Sequence, residues 1–234
     1  MKRGYFITGT DTGVGKTVIT ALLASLFKKK GFKVAVYKPV ESGGKLGKSK
    51  CFSLDAEFVR TNAEIEQPYE EMNTYCFKNA VSPHLAAELE NEEIDTSTIL
   101  RHFEKLKKNY DVVLIEGVGG LCVPIVKTEI LIADLIKMLC LPIIIVARPT
   151  LGTINHTVLT VKCANHMGIE VNGIVMNYTQ DINDTVVEKT NPKYIEEMTK
   201  VPILGIVPFV DFNSDEKTDI IKNPEKYIDY EKII

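Results

Sequence analysis

Two hydrophobic rhythms take turns along this chain. Tyr5-Phe6-Ile7-Thr8 is an apolar run that ends at Gly9, and Val18 to Phe27 then reads as a helix. Lys28-Lys29-Lys30-Gly31 stops that helix, with cations set against its negative end and glycine after them. Lys33 to Lys38 alternates into a second strand, which runs out at Pro39-Val40-Glu41-Ser42-Gly43-Gly44. Val112 to Ile115 and Ile143 to Ala147 are wholly apolar between turn signals, as in strands buried on both faces. Gly173 to Asn177 is a further strand, and Thr199 to Gly205 with Val207-Pro208-Phe209 makes the last strand and its turn. Between these lie a short helical pattern from Ser53 to Val59 and a short strand at Asn73–Phe77. A helix opens at Ser82-Pro83, with serine as cap and proline in its first position. Thr96 to Lys108 is amphipathic, with Ile99, Leu100, Phe103 and Leu106 on one face, and another helix reaches about His166. Lys45 to Lys50 is expected to be a mobile basic surface segment, Asn213 to Lys222 a polar loop, and Pro224 to Tyr230 a short terminal helix.

Strands and helices that alternate over the whole length predict an α/β fold. It is expected to be a single domain, 1–234, with a mainly parallel sheet and helices on both faces. In such a sheet the loops after the strands share one edge. Lys16, Lys38, Glu116, Gly152 and Asn177 all follow or close strands, so they should converge there.

Composition narrows the classes. The chain has 234 residues, 45 % apolar and 25 % charged, enough for a sizeable core. A net charge of −3 gives no electrostatic reason to expect nucleic acid. The longest apolar stretches, such as Leu139 to Ala147, are too short for a membrane span, and Pro142 interrupts that one. Met1-Lys2-Arg3-Gly4 leaves no room for a signal peptide before the first strand. The five cysteines are scattered with no Cys-x-x-Cys pair, which argues against a zinc site or disulfide framework and for a reducing cytoplasm. Cys163 and His166 have ligand-like spacing but no partners, and read as a packed cysteine beside a surface histidine.

The chemistry begins at Gly9-Thr10-Asp11-Thr12-Gly13-Val14-Gly15-Lys16-Thr17. A glycine turn between a strand and a helix points backbone N–H groups at phosphate oxygens, and the helix dipole adds to the field. Lys16 would meet the outer phosphates, and the Thr17 hydroxyl would ligate Mg²⁺. The usual glycine at position 10 is Thr10 here; Gly9 stands one place earlier. Glu116 ends a buried strand before Gly117, Gly119 and Gly120, which suits the metal-side carboxylate of a phosphate-loop enzyme. Lys38 at a strand end is a second cation for the site, and Asp55 is either another carboxylate or simply a helix cap. Together these groups fit phosphoryl transfer from Mg·ATP; they do not identify the acceptor.

Five motifs occur in order: Gly-Thr-Asp-Thr-x-Val-Gly-Lys-Thr at 9–17, Tyr-Lys-Pro-Val-x-Ser-Gly at 37–43, Ser-Pro-His at 82–84, Glu-Gly-x-Gly-Gly at 116–120 and Leu-Gly-x-Ile-Asn-His at 151–156. Over residues 5 to about 209 the chain resembles the dethiobiotin synthetase family. That resemblance implies a P-loop NTPase-like fold and a cytoplasmic homodimer. It also implies synthesis of dethiobiotin from 7,8-diaminononanoate, CO₂ (or bicarbonate) and ATP with Mg²⁺. Carried across, it gives ATP to Gly13, Val14, Gly15, Lys16, Thr17 and Val18, and to Gly117, Val118 and Gly119. Asn177, Val207, Pro208 and Phe209 match the adenine pocket, and Thr17, Asp55 and Glu116 the metal. Lys38 and Lys16 match the catalytic lysines that bracket the carbamate and γ-phosphate. Thr12, Ser42 and Glu116 match groups facing the diamine, and Leu151, Gly152 and Asn155 a helix start at the subunit interface suited to its distal carboxylate.

Some positions depart from the family pattern. Gly13 fills a variable loop position, residues between Gly43 and Asp55 do not align one by one, and the match fades after Phe209. Two rivals share the loop. A partition-type ATPase switch carries an extra lysine where Asp11 stands, and an amidating ligase of cobyrinate-like substrates needs a glutaminase region for which the chain has no room.

Overall fold

The computed structural model describes residues 3–47, 50–182, 185–212 and 216–234. Met1 and Lys2 of the expected leaderless start lie outside the described residues. Its main sheet is seven-stranded, in the order β11-β10-β9-β1-β6-β2-β5, and all its pairings are parallel. These strands are β1 Arg3–Gly9, β2 Val34–Ser42, β5 Asn73–Phe77, β6 Val112–Glu116, β9 Ile143–Ala147, β10 Val171–Asn177 and β11 Ile203–Val207. Helices α1 (Lys16–Lys29), α2 (Leu54–Asn62) and α8 (Glu216–Lys222) cover one face. The other face carries α3 (Pro83–Leu89), α4 (Thr96–Asn109), α5 (Ile132–Leu139), α6 (Thr153–His166) and α7 (Val186–Thr199). Every residue of β6 and β9 is buried, as their unbroken apolar runs require.

The site's location follows from connectivity. After β1 the chain passes through α1 to β2, on the β6 side; after β6 it crosses to β9, on the opposite side of β1. Loops that part in opposite directions open a crevice at the carboxyl ends of β1 and β6.

The structure corrects several sequence expectations. Lys45–Leu46 (β3) pairs antiparallel with Cys51–Phe52 (β4), so the expected mobile segment is a small ribbon; residues 48 and 49 lie outside the described residues. Glu216–Lys222 is helical, not a loop, because Ile220 and Ile221 are buried in the core that α1 shares; residues 213–215 lie outside the described residues. In place of the terminal helix, two short 3₁₀ turns, Pro224–Lys226 and Tyr230–Lys232, flank Ile228, which bridges to Gly205. A second ribbon, Pro124–Val126 (β7) with Ile130–Leu131 (β8), and helix α5 were not anticipated.

Candidate functional site

The loop after β1 is shaped by three glycines. A side chain on Gly9 would press into the Asp11 carbonyl and the Val14 side chain, which explains why glycine stands here and Thr10 is tolerated next to it. Gly13 and Gly15 adopt positive φ, 73° and 88°. Gly15 caps α1 without any side-chain hydrogen bond, and the first turn holds no acidic residue. The N–H groups of that turn therefore lack an intrahelical acceptor, an arrangement made for an anion. Val14 and Lys16 are buried, whereas Thr12 and Gly13 are exposed and Thr17 and Val18 half-buried. Burial holds Lys16 below the ordinary lysine value, and the Lys38 ammonium adds to that.

Below the loop is a charge cluster. Lys38 Nζ donates to Asp55 Oδ2 at 2.6 Å, Glu116 Oε1 at 2.8 Å and the Gly117 carbonyl at 3.2 Å, using all three of its protons. Thr17 Oγ1 donates to the same Glu116 oxygen at 2.8 Å. Burial works against the Lys38 charge, but Glu116, Asp55 and Glu41 outweigh it and hold its proton above the ordinary value. Burial pushes Glu116 up while Lys38 pulls it back; because Lys38 keeps its proton and the contact is short, we take this pair as ionised. Asp55, its burial opposed by Lys38, is held below the usual carboxylate range. Breaking such a pair by removing one partner costs about 3–5 kcal/mol.

Asp55 is free to make this contact because it does not cap α2. Ser53 does: the Ala56 N–H donates to Ser53 Oγ at 3.0 Å. Ser53 Oγ in turn donates to Glu41 Oε2 at 2.9 Å, and its N–H to the Tyr69 hydroxyl. Glu41 was not singled out from sequence. It lies inside β2, buried with every residue of that strand before Ser42. Simple alternation would put Glu41 on the side of Tyr37, away from Lys38. Yet Tyr37 and Val40 pack in one core layer, while Lys38 and Glu41 both reach α2, so the alternation slips once near Pro39.

The remaining candidates divide. Asn177 is buried against the loop, its Nδ2 donating to the Val14 carbonyl at 2.9 Å and filling the space a Gly15 side chain would need. The 117–120 turn is fastened to β1, Gly117 N–H donating to the Ile7 carbonyl and Gly9 N–H to that of Gly119. Val118 packs against the core, Val207 is buried, and Pro208 and Phe209 are exposed. Ser42, half-buried, ends β2 before Gly43 and Gly44. Thr12 lines a cleft of about 530 Å³ with Gly9, Gly120, Cys122 and Thr160. Lys16, Lys38, Glu116 and Asn177 thus converge as expected. Gly152 does not join them: it caps α6 and, with Leu151 and Asn155, lines a separate groove bordered by Asn191 and Met198 of α7. Among the cysteines, Cys51 and Cys76 lie with their sulfurs 2.6 Å apart against Gly44, a pairing across β4 and β5 that chain spacing could not reveal.

Thr17, Asp55 and Glu116 offer hard oxygen donors of the kind Mg²⁺ takes. Among the described residues no group of three or more His, Cys, Asp or Glu could hold a metal by itself.

Comparison with known proteins places this geometry in a lineage. A family model described as "AAA domain" matches residues 3–217. Solved structures of similar fold include the cell-division ATPase MinD of Pyrococcus furiosus (TM-score 0.57, 20 % identity, 97 % of this chain and 91 % of that one). A ParA-family ATPase of Chlorobium tepidum is also similar (TM-score 0.55, 14 % identity, covering 97 % and 92 %). These likenesses show the phosphate-loop fold alone. The ATP-dependent dethiobiotin synthetase of Thermodesulfovibrio yellowstonii is 42 % identical over 223 residues, 92 % of this chain and 93 % of the relative. That of Methanococcus vannielii is 45 % identical over 202 residues, 86 % and 92 % of the two chains. Identity at this level spans elements on both faces of the sheet, far beyond the phosphate loop, and this chain belongs to the ATP-dependent dethiobiotin synthetases.

Proposed function

We propose that this chain carboxylates 7,8-diaminononanoate with CO₂ and closes the ring of dethiobiotin at the expense of ATP. The observation that carries the reading is the buried Lys38 ammonium, held between Asp55 and Glu116 and joined through Glu116 to Thr17 of the phosphate loop. Membership of the synthetase family supports the choice of acceptor.

In this reading one substrate amine captures CO₂ as a carbamate, and Lys38 supports the resulting anion. Lys16 and the N–H groups of residues 13–18 hold the ATP phosphates while the γ-phosphoryl group moves to the carbamate. The second amine then attacks the carbamic-phosphoric anhydride, expelling phosphate and closing the five-membered ring. Positioning and charge stabilisation supply most of the acceleration, because the attacking amine is tethered to its target. Thr17, Asp55 and Glu116 would hold Mg²⁺, whose chemistry when bound is to neutralise charge on the phosphate oxygens. Thr12, Ser42 and the 116–120 turn face the diamine and its carbamate, with Gly117, Val118 and Gly119 also meeting ATP, and Asn177 with Val207, Pro208 and Phe209 the adenine. Leu151, Gly152 and Asn155 meet the distal carboxylate across a homodimer, consistent with their groove standing apart from Lys38 in the single chain. A cytoplasmic location is part of the same proposal; among the described residues no helix is long and apolar enough to cross a membrane.

The test mixes purified protein with 7,8-diaminononanoate, bicarbonate and Mg·ATP and looks for dethiobiotin by mass. Lys38→Ala is expected to make almost none while still binding part of its ATP. ATP hydrolysis indifferent to the diamine would overturn the reading in favour of a nucleotide switch.

A further inference from the structure

β2 and the start of α2 are joined by two rungs. One is the ion pair of Lys38 with Asp55; the other is the hydrogen bond from Ser53 to Glu41. The slip near Pro39 brings Lys38 and Glu41 to the same side of β2, and Ser53 and Asp55 leave α2 two positions apart. The hydrogen bonds form a closed circuit from β2 through Glu41, Ser53 and the first turn of α2 to Asp55, then through Lys38 to β2 again. Glu41 is 4 % exposed and Ser53 0 %, so neither is there to meet water. A serine hydroxyl has one proton and two lone pairs. By giving its proton to Glu41, Ser53 turns a lone pair toward the Ala56 N–H, and the cap and the rung fix one another.

We propose that Glu41 is a positioning residue: through Ser53 it sets where the first turn of α2 stands, and with it where Asp55 meets Lys38. The role presupposes the Lys38 site proposed above. Glu41 touches neither substrate nor phosphate in this account. It acts only by holding the N-terminus of α2, which follows directly on the β3–β4 ribbon; without this rung the ion pair would be the polar tie left from that end of the helix to β2, while Ala56 and Val59 would still pack in the core beneath it. A misplacement of about 1 Å at a reacting group can cost about 100-fold in rate.

The experiment uses the full chain with Glu41→Ala, Glu41→Gln and Ser53→Ala, and Lys38→Ala alongside. Dethiobiotin formation gives kcat and KM, and hydrogen exchange is followed in the peptide covering 53–60. Glu41→Ala is expected to lower kcat about 10- to 100-fold. Its KM for ATP should stay within about twofold, and exchange at 53–60 should quicken as the cap loosens. Glu41→Gln, whose amide oxygen can still accept from Ser53, should recover to within about threefold of wild type. The double variant Glu41→Ala/Ser53→Ala should be no worse than the more impaired single one, since both cut the same rung. Wild-type kcat in Glu41→Ala, equal impairment of Glu41→Ala and Glu41→Gln, or additive losses in the double variant would each overturn the proposal. Should Glu41→Ala fail to fold, Ser53→Ala carries the same expectation for kcat and exchange, and unchanged values there overturn it. If wild type makes no dethiobiotin, the function proposed above fails instead, and the exchange measurement still decides whether Glu41 holds α2.

Discussion

At the scale of single residues, the site is a problem in keeping charge where water cannot reach it. Lys38 and Glu116 are 3 % and 1 % exposed, and each is tolerable there only because the other is present. Glu41 has no such direct partner. Burial pushes its carboxyl up, Lys38 opposes that only in part, and the value stands at about 7. A carboxyl raised in the folded state contributes stability that is full below its unfolded value, about 4.5, and is lost as pH climbs through about 7. Glu41→Gln stays neutral throughout. Its melting temperature relative to wild type should therefore rise between pH 5 and pH 8, read by thermal denaturation at each pH. A flat difference would mean that Glu41 ionises as readily in the fold as outside it. Lys16, Thr17 and Glu116 could be found from sequence because each ends or follows a strand whose apolar run is unmistakable; Lys38 is expected at a strand end, but β2 carries on through Pro39 to Ser42 and holds it within the strand. Glu41 could not, since its orientation depends on a slip in β2 that no alternating pattern announces.

At the scale of elements, α1 is a helix whose start is left open and whose flank is sealed. Gly15 at φ 88° is set against Asn177, so Gly15→Ala combines backbone strain with a collision. A left-handed non-glycine residue costs about 1–2 kcal/mol before the collision is counted. The variant should lose at least that in chemical denaturation, and most of its nucleotide binding with it. The far end of α1 is covered by α8, whose Ile220 is 2 % exposed and shares its core. Ile220→Ala should cost about 2–5 kcal/mol. A change below about 0.5 kcal/mol, the usual range for a surface site, would mean that α8 is not docked. The sequence of this helix reads as a loop because it is mostly polar; among its described side chains Ile220 and Ile221 are buried and Asp219 and Lys222 exposed. The ribbons β3–β4 and β7–β8 escaped for another reason: strands of two or three residues are too short to display a period. The long parallel strands, buried on both faces, were legible for the opposite reason.

At the scale of the whole molecule, an apolar stripe lies open on α6, α7 and the turn before α6. Leu151 is 87 % exposed, Leu159 57 % and Met198 60 %. Scattered leucines need no explanation, but a contiguous patch lining one groove does. As part of the homodimer proposed above, Leu159→Asp should shift sedimentation toward the monomer. It should also weaken diamine binding while ATP binding persists, because the distal carboxylate would lose its seat. An unchanged dimer in that variant would place the interface elsewhere.

The central strand has a further consequence. β1 is flanked by β6 and β9, so Arg3 pairs with Val112 and Phe6 with Ile143. Neither neighbour exists while the first hundred residues leave the ribosome, and contacts this distant along the chain are slow to form. The anion-binding turn is translated at the outset, yet it cannot be clamped until Asn177 emerges and reaches back to Val14. The earliest segment to be synthesised is among the last to be completed, and a nascent chain halted before β10 would carry the phosphate motif without the Asn177 clasp that holds it.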